Sequence, residues 1–192
     1  RQLTAWHAAG HAIVTLFCEN ATPLHKVTII PRGMALGMTM MLPEEDKYSR
    51  SRMEMLDAMA VAMGGRVAEE LALHDITGGA SQDIAQATDI AHAMVCRFGM
   101  SEKLGTVQYG ERSEHIYLGR DITRSEGYSE ETAREIDLEI KRLVMDAKGH
   151  AEKILTEQRE RLDKLALSLL EKETMDVAEI RTLLDLPAQQ SA

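Results

Sequence analysis

The sequence predicts a mainly α-helical protein that carries one small β-sheet. Apolar residues recur at helical spacing through the first hundred residues and again from 129 to 172, whereas period-two alternation is confined to residues 26–42. Leu3, Trp6, Gly10, Ile13, Val14 and Phe17 share a helical stripe, so residues 3–19 form the first helix, with Thr4 as a cap. Lys26–Ile30 and Ala35–Leu42, separated by Pro31-Arg32-Gly33, read as two strands joined by a turn. In the second strand Leu36, Met38, Met40 and Leu42 fall on one face, and Gly37, Thr39 and Met41 on the other.

A Ser51-x-x-Glu54 capping box opens a helix running to Leu73, which buries Leu56, Met59, Ala60, Met63, Val67 and Leu71. Gly64-Gly65 inside it costs helix propensity and predicts that another backbone passes close by. Thr77-Gly78-Gly79-Ala80 breaks the pattern, and Ser81 caps a third helix that ends at Gly99. Residues 100–128 lack periodicity and read as a long loop. Ser129 starts a helical region to Lys172, divided at Gly149 or within 156–161 into a C-terminal helical hairpin. Asp176-x-x-Glu179 caps a last short helix ending near Pro187. The organisation is therefore a core over 1–128, a C-terminal helical part of the same domain over 129–187, and a tail at 188–192.

At 192 residues, 44% apolar and 28% charged, the chain is long enough to bury a core. A net charge of -9 without a dense basic cluster argues against nucleic acid and against an anionic membrane surface. No apolar run is long enough to span a bilayer. Cys18 and Cys96 lie in separate apolar patterns, which reads as two small buried hydrophobes in a reducing compartment.

The chemistry sits in Trp6-His7-Ala8-Ala9-Gly10-His11-Ala12. Histidines at i and i+4 project from one face of a helix and can reach a single metal ion. In the zinc-peptidase motif His-Glu-x-x-His the residue after the first histidine is the general base, and here it is Ala8. A catalytic zinc site needs a third protein ligand. Spacing leaves several candidates: Glu69 and Glu70 on the second helix, Asp83 in the first turn of the third, Asp89, and His25, His74, His92, His115 and His150.

Several stretches in order resemble the protease domain of the FtsH family of ATP-dependent zinc metalloproteases. They are His7-Ala8-Ala9-Gly10-His11, Pro31-Arg32-Gly33, Ala35-Leu36-Gly37, Leu42-Pro43-Glu44-Glu45-Asp46, Gly64–Glu70, Gly78–Asp83, Leu118-Gly119-Arg120-Asp121 and Tyr128–Thr132. The resemblance implies a helical zinc-peptidase domain with one Zn²⁺ per subunit held by His7, His11 and Asp83. It moves Glu70 to a structural role, orienting a histidine from behind. It also implies a glutamate at position 8 in working members, so this chain is expected to bind metal and to be catalytically inactive.

Further implications are a hexameric homo-oligomer fed with unfolded polypeptide by an ATPase domain, which alone would use ATP, and a membrane anchor. This chain reads as a soluble fragment of that larger protein, working in the bacterial cytoplasm or an organelle matrix or stroma. Substrate is expected to add a strand along Gly37, Met38, Thr39 and Met40. A natural pseudopeptidase, or a ring-forming module with a structural metal, is the alternative.

Overall fold

The computed structural model describes residues 1–31, 38–41, 50–110 and 127–189, with β-strand 38–41 described through its backbone. In chain order the elements are α1 (Gln2–Leu16), β1 (Leu24–Thr28), β2 (Met38–Met41), α2 (Arg52–Leu73), a 3₁₀ turn (Gly78–Ala80), α3 (Ser81–Cys96), α4 (Glu130–Glu157), α5 (Arg159–Lys172), β3 (Thr174–Asp176) and α6 (Val177–Leu183). The expected loop at 100–128 has no helix or strand in its described parts, and 111–126 lies outside the described residues.

Helix α1 is the centre of the molecule. Ala5, Ala8, Ala9, Ala12, Ile13 and Val14 are all buried, and α1 packs against α2, α5 and β1. Its small residues matter because they let α2 approach at backbone range. A Cβ on Gly10 would lie 2.3 Å from the Gly64 carbonyl oxygen and 2.6 Å from Ala68 Cβ; one on Gly64 would lie 2.7 Å from the Gly10 carbonyl oxygen. The helix-weakening glycine pair in α2 is thus explained by a close crossing.

Trp6, Asp163, Arg159 and Leu71 then lock three helices together. Trp6 Nε1 donates to Asp163 Oδ1 at 2.9 Å, Arg159 pairs with Asp163 at 3.1 Å, and Arg159 Nη1 donates to the Leu71 carbonyl at 3.1 Å. The last of these satisfies an orphan carbonyl at the end of α2.

The sheet has the order β2-β1-β3 and is antiparallel throughout, with β2 opposite β1 from Leu24↔Met41 to Thr28↔Met38 and an irregularity between Leu24 and Lys26. The expected strand over 35–42 is described only as Met38–Met41; Gly37 and Leu42 lie outside the described residues. Strand β3 was not expected, since three residues carry no periodic signal. It is held by Thr28 Oγ1 against Thr174 Oγ1 at 2.8 Å and by the Ile29 N–H on the Glu173 carbonyl at 2.8 Å.

Three caps behave as the sequence implies. The hydroxyls of Ser51 and Ser129 accept from the backbone N–H of Glu54 and Thr132 at 3.1 Å, and Asp176 accepts from Glu179 N–H at 2.8 Å. Ser81 does not cap α3: it is the first residue of that helix, whose N-cap is Ala80 with no side-chain cap, and the nearby capping hydroxyl, on Thr77, belongs to the 3₁₀ turn, accepting from Gly79 N–H at 3.2 Å.

The long C-terminal helical region divides at Gln158, inside the polar stretch, while Gly149 stays helical within α4. The two helices follow one another directly but use different partners: α4 lies mainly on α2 and α3, and α5 mainly on α1. Each amphipathic face thereby joins the common core rather than the other helix.

Both cysteines are buried. Burial, reinforced by the Asp57 carboxylate, pushes the Cys18 thiol up to about 12, and burial with Asp137 raises Cys96. A thiol held this high carries almost no thiolate at neutral pH, and the stability it contributes is present below the ordinary thiol value and lost as pH rises toward 12. Ellman's reagent at pH 7.5 should therefore label neither thiol in the native protein and both in denaturant; rapid native labelling would contradict the packing.

The two kinds of glycine give opposite expectations. Gly10→Ala must push against backbone and should lower stability by about 1–3 kcal/mol, whereas Gly149→Ala meets nothing within 4 Å and should raise it by about 0.4–1 kcal/mol. Urea unfolding of the two variants beside the parent measures both signs.

Candidate metal centre

His7 and His11 sit one turn apart on α1, on the face turned toward α2, and Asp83 reaches them from the first turn of α3. That position favours a carboxylate, because the unpaired N–H groups of a helix start carry partial positive charge. His7 Nε2 lies 2.9 Å from Asp83 Oδ2, His11 Nε2 lies 3.1 Å from the same oxygen, and the two Nε2 atoms are 3.1 Å apart. All three side chains are partly buried.

The outer ring nitrogens show what that cluster needs. His11 Nδ1 is 2.7 Å from the Val61 carbonyl oxygen, which can only accept, so Nδ1 carries the proton. His7 Nδ1 is 3.5 Å from Glu69 Oε1 and faces a carboxylate in the same way. In the neutral imidazoles both Nε2 lone pairs therefore point at each other and at Asp83 Oδ2. Three acceptors converge without a hydrogen between them, an arrangement completed by a cation or by protonating the rings.

Tetrahedral zinc with bonds of about 2.0 Å would hold its ligand atoms roughly 3.3 Å apart, close to the spacing present. Burial alone would raise the Asp83 carboxyl. With the rings protonated, hydrogen bonds and positive charge from His11 and His7 outweigh it and hold the group well below the usual carboxylate range.

Space for an ion is preserved by Gly65. A Cβ there would lie 2.4 Å from His7 Nε2, 2.5 Å from His7 Cε1 and 2.7 Å from His11 Nε2. The second glycine of the pair thus serves the imidazoles, while the first serves the helix crossing. Two imidazoles, one carboxylate and an uncluttered floor fit a borderline metal ion such as zinc.

Of the other candidates for third ligand, Glu70 is engaged elsewhere. It pairs with Lys148 at 3.2 Å, and the role of backing a histidine belongs instead to its neighbour Glu69. The helical period decides between them: Glu69 points inward and is 1% exposed, whereas Glu70 lies about 100° around the helix toward α4. Glu69 Oε1 also accepts from Thr77 Oγ1 at 3.0 Å. Asp89, His25, His74, His92 and His150 are exposed, and His115 lies outside the described residues.

Among the described residues, His7, His11 and Asp83 are the single grouping of three such side chains able to hold a metal ion. Ala8, next to His7, is buried. Met38, Thr39 and Met40 belong to β2, an outer strand of the described sheet; Gly37 lies outside the described residues.

The family description peptidase family M41 matches residues 1–183. The chain is 52% identical over 180 residues to the ATP-dependent zinc metalloprotease FtsH 2 of Methylacidiphilum infernorum, covering 94% of this chain and 28% of that protein. It is 52% identical over 186 residues to the ATP-dependent zinc metalloprotease FtsH of Akkermansia muciniphila, covering 96% and 23%, and 46% identical over 185 residues to that of Thermotoga maritima, covering 96% and 30%. It therefore spans roughly a quarter to a third of these relatives' length. Because the match runs through α1, α2 and α3 alike and takes in both histidines and Asp83, the chain belongs to peptidase family M41, as a protease domain of the FtsH family.

Proposed function

We propose that this chain is the zinc-dependent endopeptidase domain of a membrane-anchored, ATP-dependent protease that degrades unfolded or unassembled proteins, and that Ala8 leaves it catalytically inactive. The observation that carries the reading is the convergence of three acceptor atoms, His7 Nε2, His11 Nε2 and Asp83 Oδ2, over the bare floor at Gly65. His7, His11 and Asp83 would hold one Zn²⁺ per subunit. Bound there, zinc would polarise a scissile carbonyl and lower the pKa of a bound water.

The protein's own groups supply the rest. Val61 and Glu69 fix the histidine tautomers that turn lone pairs inward. The backbone of Met38, Thr39 and Met40, with Gly37 before it, would receive an extended peptide as an added strand; the outer position of β2 supports this. Recognition through main-chain groups selects weakly among sequences, which suits a quality-control protease.

The proton step is where this chain fails. A general base contributes about 10²–10⁴ in rate, and the Ala8 methyl group cannot take a proton from water or pass it to a leaving amine. Residues 1–128 and 129–187 act as parts of one domain, a reading supported by the shared core that α4 and α5 complete. A homohexamer, an ATPase domain that feeds substrate, and a membrane anchor belong to the whole protein. No described helix is long and apolar enough to cross a membrane. Ala8 also favours a second reading, a natural pseudopeptidase or ring-forming module that binds zinc without cleaving.

Metal content separates the site from coincidence. Metal analysis and competition titration should find one zinc per chain in the parent and lose it in Asp83→Ala and Gly65→Ala; a Gly65→Ala protein that binds like the parent would show that the space over Gly65 is not the site. Activity then separates the two readings. Ala8→Glu should raise chelator-sensitive cleavage of unfolded casein by at least about 10²-fold, whereas zinc bound with no cleavage in either form would favour the non-cleaving module.

A further inference from the structure

Thr77 belongs to no ligand set and precedes Asp83 by six residues, yet it touches both halves of the metal centre. Its hydroxyl accepts from Gly79 N–H at 3.2 Å, which starts the 3₁₀ turn Gly78–Ala80 that runs directly into α3 and Asp83. Because that N–H can only donate, the hydroxyl's single proton is free for Glu69 Oε1, 3.0 Å away. Glu69 is 1% exposed and faces His7 Nδ1 at 3.5 Å. The Thr77 carbonyl in turn accepts from Arg66 Nη2 at 3.2 Å, tying the turn back to α2. Glu69 Oε2 and Arg66 Nε face each other as an ion pair at 3.9 Å, and neither has a hydrogen-bond partner among the described residues. The Thr77 hydroxyl is therefore the donor that fixes Glu69 Oε1, the oxygen turned toward His7.

We infer that Thr77 is a positioning residue for the metal centre: one hydroxyl sets the rotamer of Glu69, and through it the ring of His7, while the same oxygen anchors the turn that aims Asp83. A ligand from α1 and a ligand from α3 are thereby referred to one atom. The inference rests on the proposed zinc site and concerns its geometry, so its test reads metal affinity and ligand field rather than peptide cleavage. Removing a hydrogen-bonding partner behind a metal ligand costs about 10–100-fold in affinity.

Thr77→Val keeps the shape and loses the hydroxyl, Thr77→Ser keeps the hydroxyl and loses the methyl, and Thr77→Ala serves if the valine variant does not fold. Zinc affinity by competition titration and the visible spectrum of the Co²⁺-substituted protein are measured for each. The expected result is a 10–100-fold weaker Kd and a weakened or shifted cobalt band in Thr77→Val and Thr77→Ala, with Thr77→Ser close to the parent. Combining Thr77→Val with Glu69→Gln should cost less than the two separate losses together, because both act along one path. Parent-like affinity and spectrum in all three Thr77 variants would overturn the inference and leave the metal centre standing. A parent that binds neither metal would overturn the centre itself, and this inference with it.

Discussion

The antiparallel crossing of α1 and α2 at backbone range is the constraint on which the other features depend. Gly10 and Gly64 put no side chain of their own into the contact, so the backbones of the two helices meet there directly. Both helices have the same pitch, so the pair His7 and His11, one turn apart, straddles Gly65, with Val61 and Glu69 about one turn to either side of it. His11 finds the Val61 carbonyl, His7 finds Glu69, and Gly65 lies midway beneath both rings. The two supporting groups stand eight residues apart on α2, and each histidine reaches outward to one of them, so a neighbouring helix in contact supplies both without special loop geometry.

The third member of the cluster obeys a different logic. Asp83 comes from a helix start, and its direction is set by the turn before it. This explains why a short glycine-rich segment is tied down by Thr77 and Arg66. Glycine lowers the cost of the tight turn and raises the entropy lost on ordering it. The side-chain hydrogen bonds from α2 offset that loss. The cluster thus combines two side chains on one rigid helix with one held by a local hydrogen-bond network.

The helices of α1 to α3, the capping boxes at Ser51 and Asp176, and the close backbone approach at Gly64-Gly65 are legible in the sequence because each follows from local chemistry: period, cap or steric room. The histidine pair is legible for the same reason. What escaped depends on distant contacts. Strand β3 exists because β1 offers it an edge, and nothing in Thr174-Met175-Asp176 alone announces a strand. Ser81 leaves α3 without a side-chain cap, and the hydroxyl that does cap is that of Thr77 on the 3₁₀ turn, because several hydroxyls and glycines in one segment leave the local rule ambiguous. Glu69 and Glu70 are adjacent and chemically identical, and only the packing of α2 against α1 on one side and α4 on the other assigns one to His7 and one to Lys148.

Ala8 fits the fold better than the chemistry. It lies in the most crowded helix of the molecule, among Ala5, Ala9 and Ala12, where a small side chain packs without strain and alanine has the highest helix propensity. A carboxylate at that position would join Asp83 and the buried Glu69 around one pair of imidazoles, adding negative charge to a region that already needs a cation to balance it. Alanine at position 8 adds no charge to that region and leaves the cluster of His7, His11 and Asp83, the bare floor at Gly65 and the Glu69–Thr77 hydrogen bond in place. The fold and the three-residue cluster therefore need no side chain larger than alanine at position 8.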